Sequence, residues 1–102
     1  MVLEQYEKNR QVFVIKNEEE KLAEMVFKIS GNTMTVYHTE VAPEMEGKGL
    51  GKELFSAMVA YARQHHLKVA PLCVFVQAQF KRHPELYSDI WEKDNQEIDF
   101  KK

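Results

Sequence analysis

The sequence predicts an α+β fold, with an antiparallel β-meander followed by a strand–helix–strand crossover and short C-terminal helices. Three observations predict it. Up to Val41, apolar and β-branched residues recur with a period of two. From Leu50 the period becomes helical. After that helix, Val69 to Val76 is a nearly unbroken apolar run of the kind that forms a strand buried on both faces.

Each element follows in order. Gln11 to Lys16 (Gln-Val-Phe-Val-Ile-Lys) is short, β-branched and aromatic, and predicts a first strand. Asn17-Glu18-Glu19-Glu20 is a polar turn. Ala23, Met25, Phe27 and Ile29 alternate with Glu24 and Lys28, as in a half-buried strand. Ser30-Gly31-Asn32 is a tight turn, and Thr33 to Val41 is a third strand. Short turns join the three, so they pair antiparallel. Leu50, Leu54, Phe55, Met58, Val59 and Ala62 form one helical stripe that runs to His65 or His66. Pro71 lacks a backbone donor and predicts a bulge or an interruption of pairing in the next strand. Strand, helix and strand make a right-handed crossover with the two strands parallel. A short helix is expected over Gln77 to Arg82, and Pro84 opens another that reaches about Trp91. The charged tail, Glu92 to Lys102, is expected to fray.

With 102 residues the chain is expected to form one domain, residues 1–102, with a core large enough to fold alone. A formal charge of -2 gives no bulk attraction to nucleic acid or to an anionic membrane. No apolar run is long enough to cross a bilayer, and Met1-Val2-Leu3-Glu4-Gln5 lacks the marks of a signal peptide. Cys73 is the single cysteine, so neither an intrachain disulfide nor a cysteine metal cluster forms, and no metal is expected. A reducing, cytoplasmic setting is the expectation.

The most informative stretch is Gly47-Lys48-Gly49-Leu50-Gly51-Lys52, which holds three of the four glycines. A glycine turn that feeds a helix N-terminus aims several backbone N–H groups at one point, where the helix dipole adds about half a positive charge. That is an anion site, best suited to phosphate; the competing reading is a flexible turn. The Walker pattern fails, because Gly51-Lys52 is followed by Glu53 and the earlier glycine position is Glu46. The dinucleotide pattern fails as well, since its last glycine falls on Lys52 or on Leu54.

What remains is a Gly-x-Gly turn after an antiparallel meander, and this resembles the GNAT acetyltransferases. Their signature, Arg/Gln-x-x-Gly-x-Gly/Ala, reads here as Glu46-Gly47-Lys48-Gly49-Leu50-Gly51. Glu46 departs from the usual Arg or Gln and adds to an acidic cluster with Glu40 and Glu44. The chain is similar to a compact GNAT subgroup in four ordered motifs: His38-Thr39, the glycine turn, Pro71-Leu72-Cys73, and Lys81-Arg82-His83-Pro84-Glu85. The subgroup tends to have an aromatic after His-Pro-Glu, whereas this chain has Leu86, then Tyr87.

The resemblance implies a compact GNAT-like fold whose parallel pair splays apart. It implies acetyl-CoA as acetyl donor, no metal, and N-acetyl transfer to an amine acceptor, of a small molecule or a protein. The implied cofactor-binding positions are Thr39, Glu40, Val41, Glu46, Gly47, Lys48, Gly49, Leu50, Gly51, Lys52, Val76, Phe80 and Lys81. The splay frees a backbone N–H near Thr39 to Val41 to polarise the thioester carbonyl. His38 and Cys73 are the candidate catalytic residues. A neutral imidazole can deprotonate an ammonium, and a thiol can act as nucleophile or proton donor. Direct transfer is the default, with Cys73 acylation secondary. Each has a structural alternative, as a core histidine in phase with Met34 and Val36 and as a buried free cysteine. His65 and His66 fit a helix C-terminus, His83 a helix start, and Phe80, Tyr87 and Trp91 core packing. A second class of function is a non-catalytic CoA or acyl-CoA binder that acts through a protein partner.

Overall fold

The period-two segments pair as their alternation requires. The structure, a computed structural model, describes residues 2–7 and 10–92. Strands β1 (Val2–Glu7), β2 (Arg10–Asn17), β3 (Glu20–Ser30), β4 (Thr33–Val41) and β5 (Lys68–Pro71) lie in that spatial order in one sheet. β1 to β4 are antiparallel neighbours, and β4 and β5 are parallel. The β3–β4 hairpin turns on Gly31-Asn32, with Gly31 left-handed at φ 59°.

A 3-10 turn (Pro43–Met45) and the glycine segment lead into α1 (Leu50–Gln64). This helix ends in a Schellman motif. The His66 amide donates to the Arg63 carbonyl at 3.3 Å and the Leu67 amide to that of Ala62 at 2.8 Å. His66 takes the left-handed position at φ 56° that glycine usually fills. α2 (Val74–Arg82) follows β5, and α3 (Pro84–Tyr87) starts on its proline as expected.

Four differences from the sequence expectations have physical causes. β1 was not expected, because Val2, Glu4 and Tyr6 alternate with Leu3, Gln5 and Glu7 and leave no apolar face. It pairs on one side with β2, and the Tyr61 hydroxyl of α1 donates to Glu4 Oε2 at 3.2 Å. Burial first, and the Glu4 carboxylate second, push the Tyr61 phenol above its ordinary pKa. The run Val69 to Val76 is not one strand. β5 stops at Pro71, and the amides of Leu72 and Cys73 both donate to the Val36 carbonyl at 3.0 Å, which turns the chain off the sheet. Pro71 therefore ends the strand, and Gln77 Nε2 satisfies its carbonyl at 3.0 Å. The rest of the run is a helix face, so α2 begins at Val74 rather than Gln77. Helix α3 ends at Tyr87, short of Trp91, which instead forms a parallel bridge with Val69 at the edge of β5. The expected fraying of the tail beyond Glu92 lies outside the described residues.

The core fills one face of the sheet. Phe13, Ile15, Met25 and Phe27 pack with Leu54, Phe55, Met58, Val59 and Ala62 of α1 and with Val76 and Phe80 of α2. Phe13 stacks on Phe27 with centroids 4.6 Å apart, and Tyr61 meets Phe13 edge-on at 5.5 Å. Alternation sends Val12, Val14 and Val26 to the other face, where they form a separate small cluster. One face thus carries the helices, and the other is the outer face.

Candidate active site

β4 changes character halfway along. Thr33 to Val36 pair with β3 on one side and with Lys68 to Pro71 of β5 on the other. A bulge against Val26/Phe27 follows, and from Tyr37 to Val41 the strand has only its β3 partner. Because β5 ends at Pro71, the parallel pair opens into a gap. The splay that the family resemblance implied is present.

The hydrogen-bond phase says which amides look into that gap. The Ala42 amide donates to the Leu22 carbonyl at 2.8 Å. In an antiparallel ladder bonded and non-bonded pairs alternate. The pairs Glu24–Glu40 and Val26–His38 therefore exchange bonds with β3. Thr39 and Val41, opposite Met25 and Ala23, turn their N–H groups away from β3 and into the gap.

The glycine turn lies where β4 runs out. Gly47 and Gly49 are left-handed at φ 85° and 82°, and Gly49 is the N-cap of α1 with no capping side chain. Helix geometry leaves the amides of Leu50, Gly51 and Lys52 without intrahelical acceptors. The first intrahelical bond runs from Glu53 to the Gly49 carbonyl at 3.1 Å. Nothing lies within 4 Å of where a Cβ on Gly47 or Gly49 would stand. That open space beside orphan donors fits the oxygens of a pyrophosphate. Lys48 and Lys52 are exposed on the same turn, as are Glu44 and Glu46.

The start of α2 closes the gap from the other side. Phe75 lies 3.4 Å from the Cβ position of Gly51 and packs edge-on against Phe55 at 6.3 Å. Cys73, the N-cap of α2, is buried, with its Sγ 3.4 Å from Thr39 Oγ1. Phe75 was missed in the sequence, where it sat inside an expected strand; its only signal was the third glycine, whose missing side chain lets the two helix starts meet.

The two catalytic candidates do not come together. Thr39 shares the face of Met25, so Cys73 lies on the helix side of the sheet. His38 shares the face of Val26 and stands on the outer side, 46% exposed. There its Nε2 is 4.0 Å from Oε2 of Glu24. Lys21 Nζ donates to Oε1 of that glutamate at 2.8 Å, and Arg10 Nη2 is 3.9 Å from Oε2. Glu40 lies beside them, and one ligand atom from each of Glu24, His38 and Glu40 falls within 4.8 Å of the others, a spacing a cation could bridge.

The remaining predicted positions divide. Leu50, Gly51 and Lys52 form the first turn of α1, next to Glu46 and the glycines. Val76 and Phe80 have no exposed surface and pack in the core, the role also expected of Phe80, which stacks on Tyr87 at 5.2 Å. Lys81 sits in the last turn of α2, about 10 Å along the helix from its start. His83 joins α2 to α3, and His65 packs on Tyr61 at 4.3 Å, so both keep the structural roles expected of them.

Residues 12–90 match the family described as GCN5-related N-acetyl-transferase. The chain belongs to the GCN5-related N-acetyltransferases. It is an acyltransferase of that family. A GCN5-like protein from Staphylococcus aureus, provisionally assigned as an N-acetyltransferase and solved by NMR in solution, is similar in structure. Its TM-score is 0.64 at 28% identity, over 87% of this chain and 86% of that one. No curated protein matches the chain. The splayed strands and the glycine turn both lie within residues 12–90, the span that matches the family. No described helix is long and apolar enough to cross a membrane.

Proposed function

We propose that this protein transfers the acetyl group of acetyl-CoA to an amine by direct attack on the thioester. The observation that carries the proposal is the open half of β4, with two unpaired amides beside a glycine turn and a helix N-terminus. The orphan amides of Leu50, Gly51 and Lys52 hold the pyrophosphate, with Lys48 and Lys52 adding charge. Thr39 or Val41 donates its N–H to the thioester carbonyl and stabilises the oxyanion as the amine nitrogen attacks. The carbon–sulfur bond then breaks, and CoA leaves as the thiolate. His38 accepts the proton that the amine loses.

Direct transfer is favoured over an acyl-cysteine. Cys73 is 5% exposed and engaged with Thr39, on the face opposite His38, so no base reaches its thiol from that side. The proposed working place is the cytoplasm, where the lone thiol stays reduced.

The test is calorimetric titration of acetyl-CoA into wild type and Gly49→Asp, followed by amine-dependent release of CoA thiol. Micromolar binding, about -8 kcal/mol, is expected for wild type and absent in the variant. Turnover that rises with an amine supports transfer. Tight binding with no turnover over a broad amine panel assigns the chain to the non-catalytic CoA binders instead.

A further inference from the structure

The outer face holds one feature that the proposed reaction leaves unexplained. Glu24 is the one buried charged side chain among the described residues, 7% exposed, and it lies beside valines. A carboxylate is expensive to bury unless it is paired. Lys21 and Arg10 supply the pairing, at 2.8 Å and 3.9 Å. A small polar or apolar residue would serve the sheet there at lower cost, so the carboxylate is present for something else it faces.

What it faces is His38. The bonded pairs Val26–His38 and Glu24–Glu40 make His38 the diagonal neighbour of Glu24 on the outer face. We infer that Glu24 is a positioning residue that orients the His38 imidazole for proton transfer, an inference that rests on the role proposed for His38 above. Glu24 is fixed by burial and by Lys21, while His38, 46% exposed, is free to change rotamer. A small rotation closes the 4.0 Å separation to a hydrogen bond in which His38 Nε2–H donates to Oε2 of Glu24. That fixes the tautomer. Nδ1 is left as the proton acceptor, and it takes the proton from the attacking amine. The imidazole then carries both protons, and its Nε2–H remains bonded to Glu24.

The arrangement also gives the outer face a purpose. A cavity of about 530 Å³ lies against Glu24, Glu40 and the Val41–Pro43 segment, and His38 lines a second one of about 450 Å³ with Tyr6, Arg10, Val26 and Tyr37, which has room for an acceptor amine.

Nitrogen-15 NMR of His38 tests the inference on wild type and on Glu24→Gln. The expected wild-type signal is a single Nε2–H tautomer. In the variant it becomes a tautomer mixture, kcat falls about tenfold and the KM for acetyl-CoA is unchanged. Glu24→Asp, one methylene shorter, keeps part of the tautomer preference and part of the rate. A wild-type His38 that already shows a mixture, or a Glu24→Gln protein with wild-type tautomer and kcat, overturns the inference. Glu24→Asp carries the same comparison if Glu24→Gln fails to fold. Failure of the parent reading looks different: His38→Ala is then fully active, or wild type has no turnover at all. His38→Ala inactive with Glu24→Gln unaffected removes only the role of Glu24.

Discussion

The two halves of β4 are built from similar residues and do different work. Thr33 to Val36 is hydrogen-bonded on both sides, and its Met34 and Val36 have no exposed surface. Tyr37 to Val41 is bonded on one side only; Thr39 and Val41 turn their amides into the gap, while His38 and Glu40 stand on the outer face. The first half is paired on both sides and holds the fold together. The second half has the Thr39 and Val41 donors to spare, which is what the proposed hold on a thioester carbonyl requires. The place where pairing ends is set by the Leu72 and Cys73 amides, which converge on the Val36 carbonyl and turn the partner strand away.

That contrast breaks if substitutions in the two halves act alike. Met34→Ala, in the paired half, is expected to cost about 2–5 kcal/mol of stability in urea unfolding, through lost burial and the cavity left behind. The protein that stays folded keeps its acetyl-CoA affinity. Proline at Thr39 or at Val41 deletes one gap-facing donor while leaving the β3 ladder intact, as proline does at a free edge. The position that meets the carbonyl loses about 10²–10³ in kcat, measured at saturating acetyl-CoA. His38→Ala is expected to lose about 10² in kcat with its melting temperature and acetyl-CoA affinity unchanged. An unfolded His38→Ala protein, or a catalytically silent Thr39→Pro and Val41→Pro pair, removes the distinction.

A smaller effect sharpens it, far from the gap. Arg63 Nε donates to Asp89 Oδ2 at 3.0 Å and clasps the last described turn against α1. That hydrogen bond, opposed by a smaller effect of burial, holds the Asp89 carboxyl below the usual carboxylate range. A lowered folded value contributes stability above the unfolded value, about pH 4, and loses it as pH falls through the lowered one. Both side chains are about half exposed, at 47% and 56%, so the pair is worth about 0.5 kcal/mol or less. Arg63→Ala should therefore unfold slightly earlier than wild type at pH 7; the Asp89 share of that difference is gone near pH 2, the share from the Arg63 Nη2 bond to the Leu86 carbonyl at 2.6 Å remains, and kcat is unchanged throughout.

Much of this was legible in the residues. Period two across Gln11 to Val41, the tight Gly31 turn and the helical stripe from Leu50 each carry their structure locally, and β4 and the start of α1 fall on the expected residues. The glycine turn was legible for the same reason, because left-handed glycines before a helix need no distant partner to form. β1 was hidden, since an edge strand without an apolar face has no period to read. The split of Val69 to Val76 was hidden too, because β-branched apolar residues suit a buried strand and a helix face equally. The burial of Phe80 was legible, since its packing with Tyr87 and Trp91 in the core was expected.

By itself, then, the sequence determined the α+β order of elements, the parallel crossover and the position of the glycine turn at the start of α1, all of which follow from spacing and from glycine. Only the tertiary structure decided which face each side chain joins. Side chains alternate across a sheet, so the bulge before His38 and the register against β3 send His38 to Glu24 on one face and Thr39 to Cys73 on the other. Register is a property of two strands together, and neither strand's residues contain it alone.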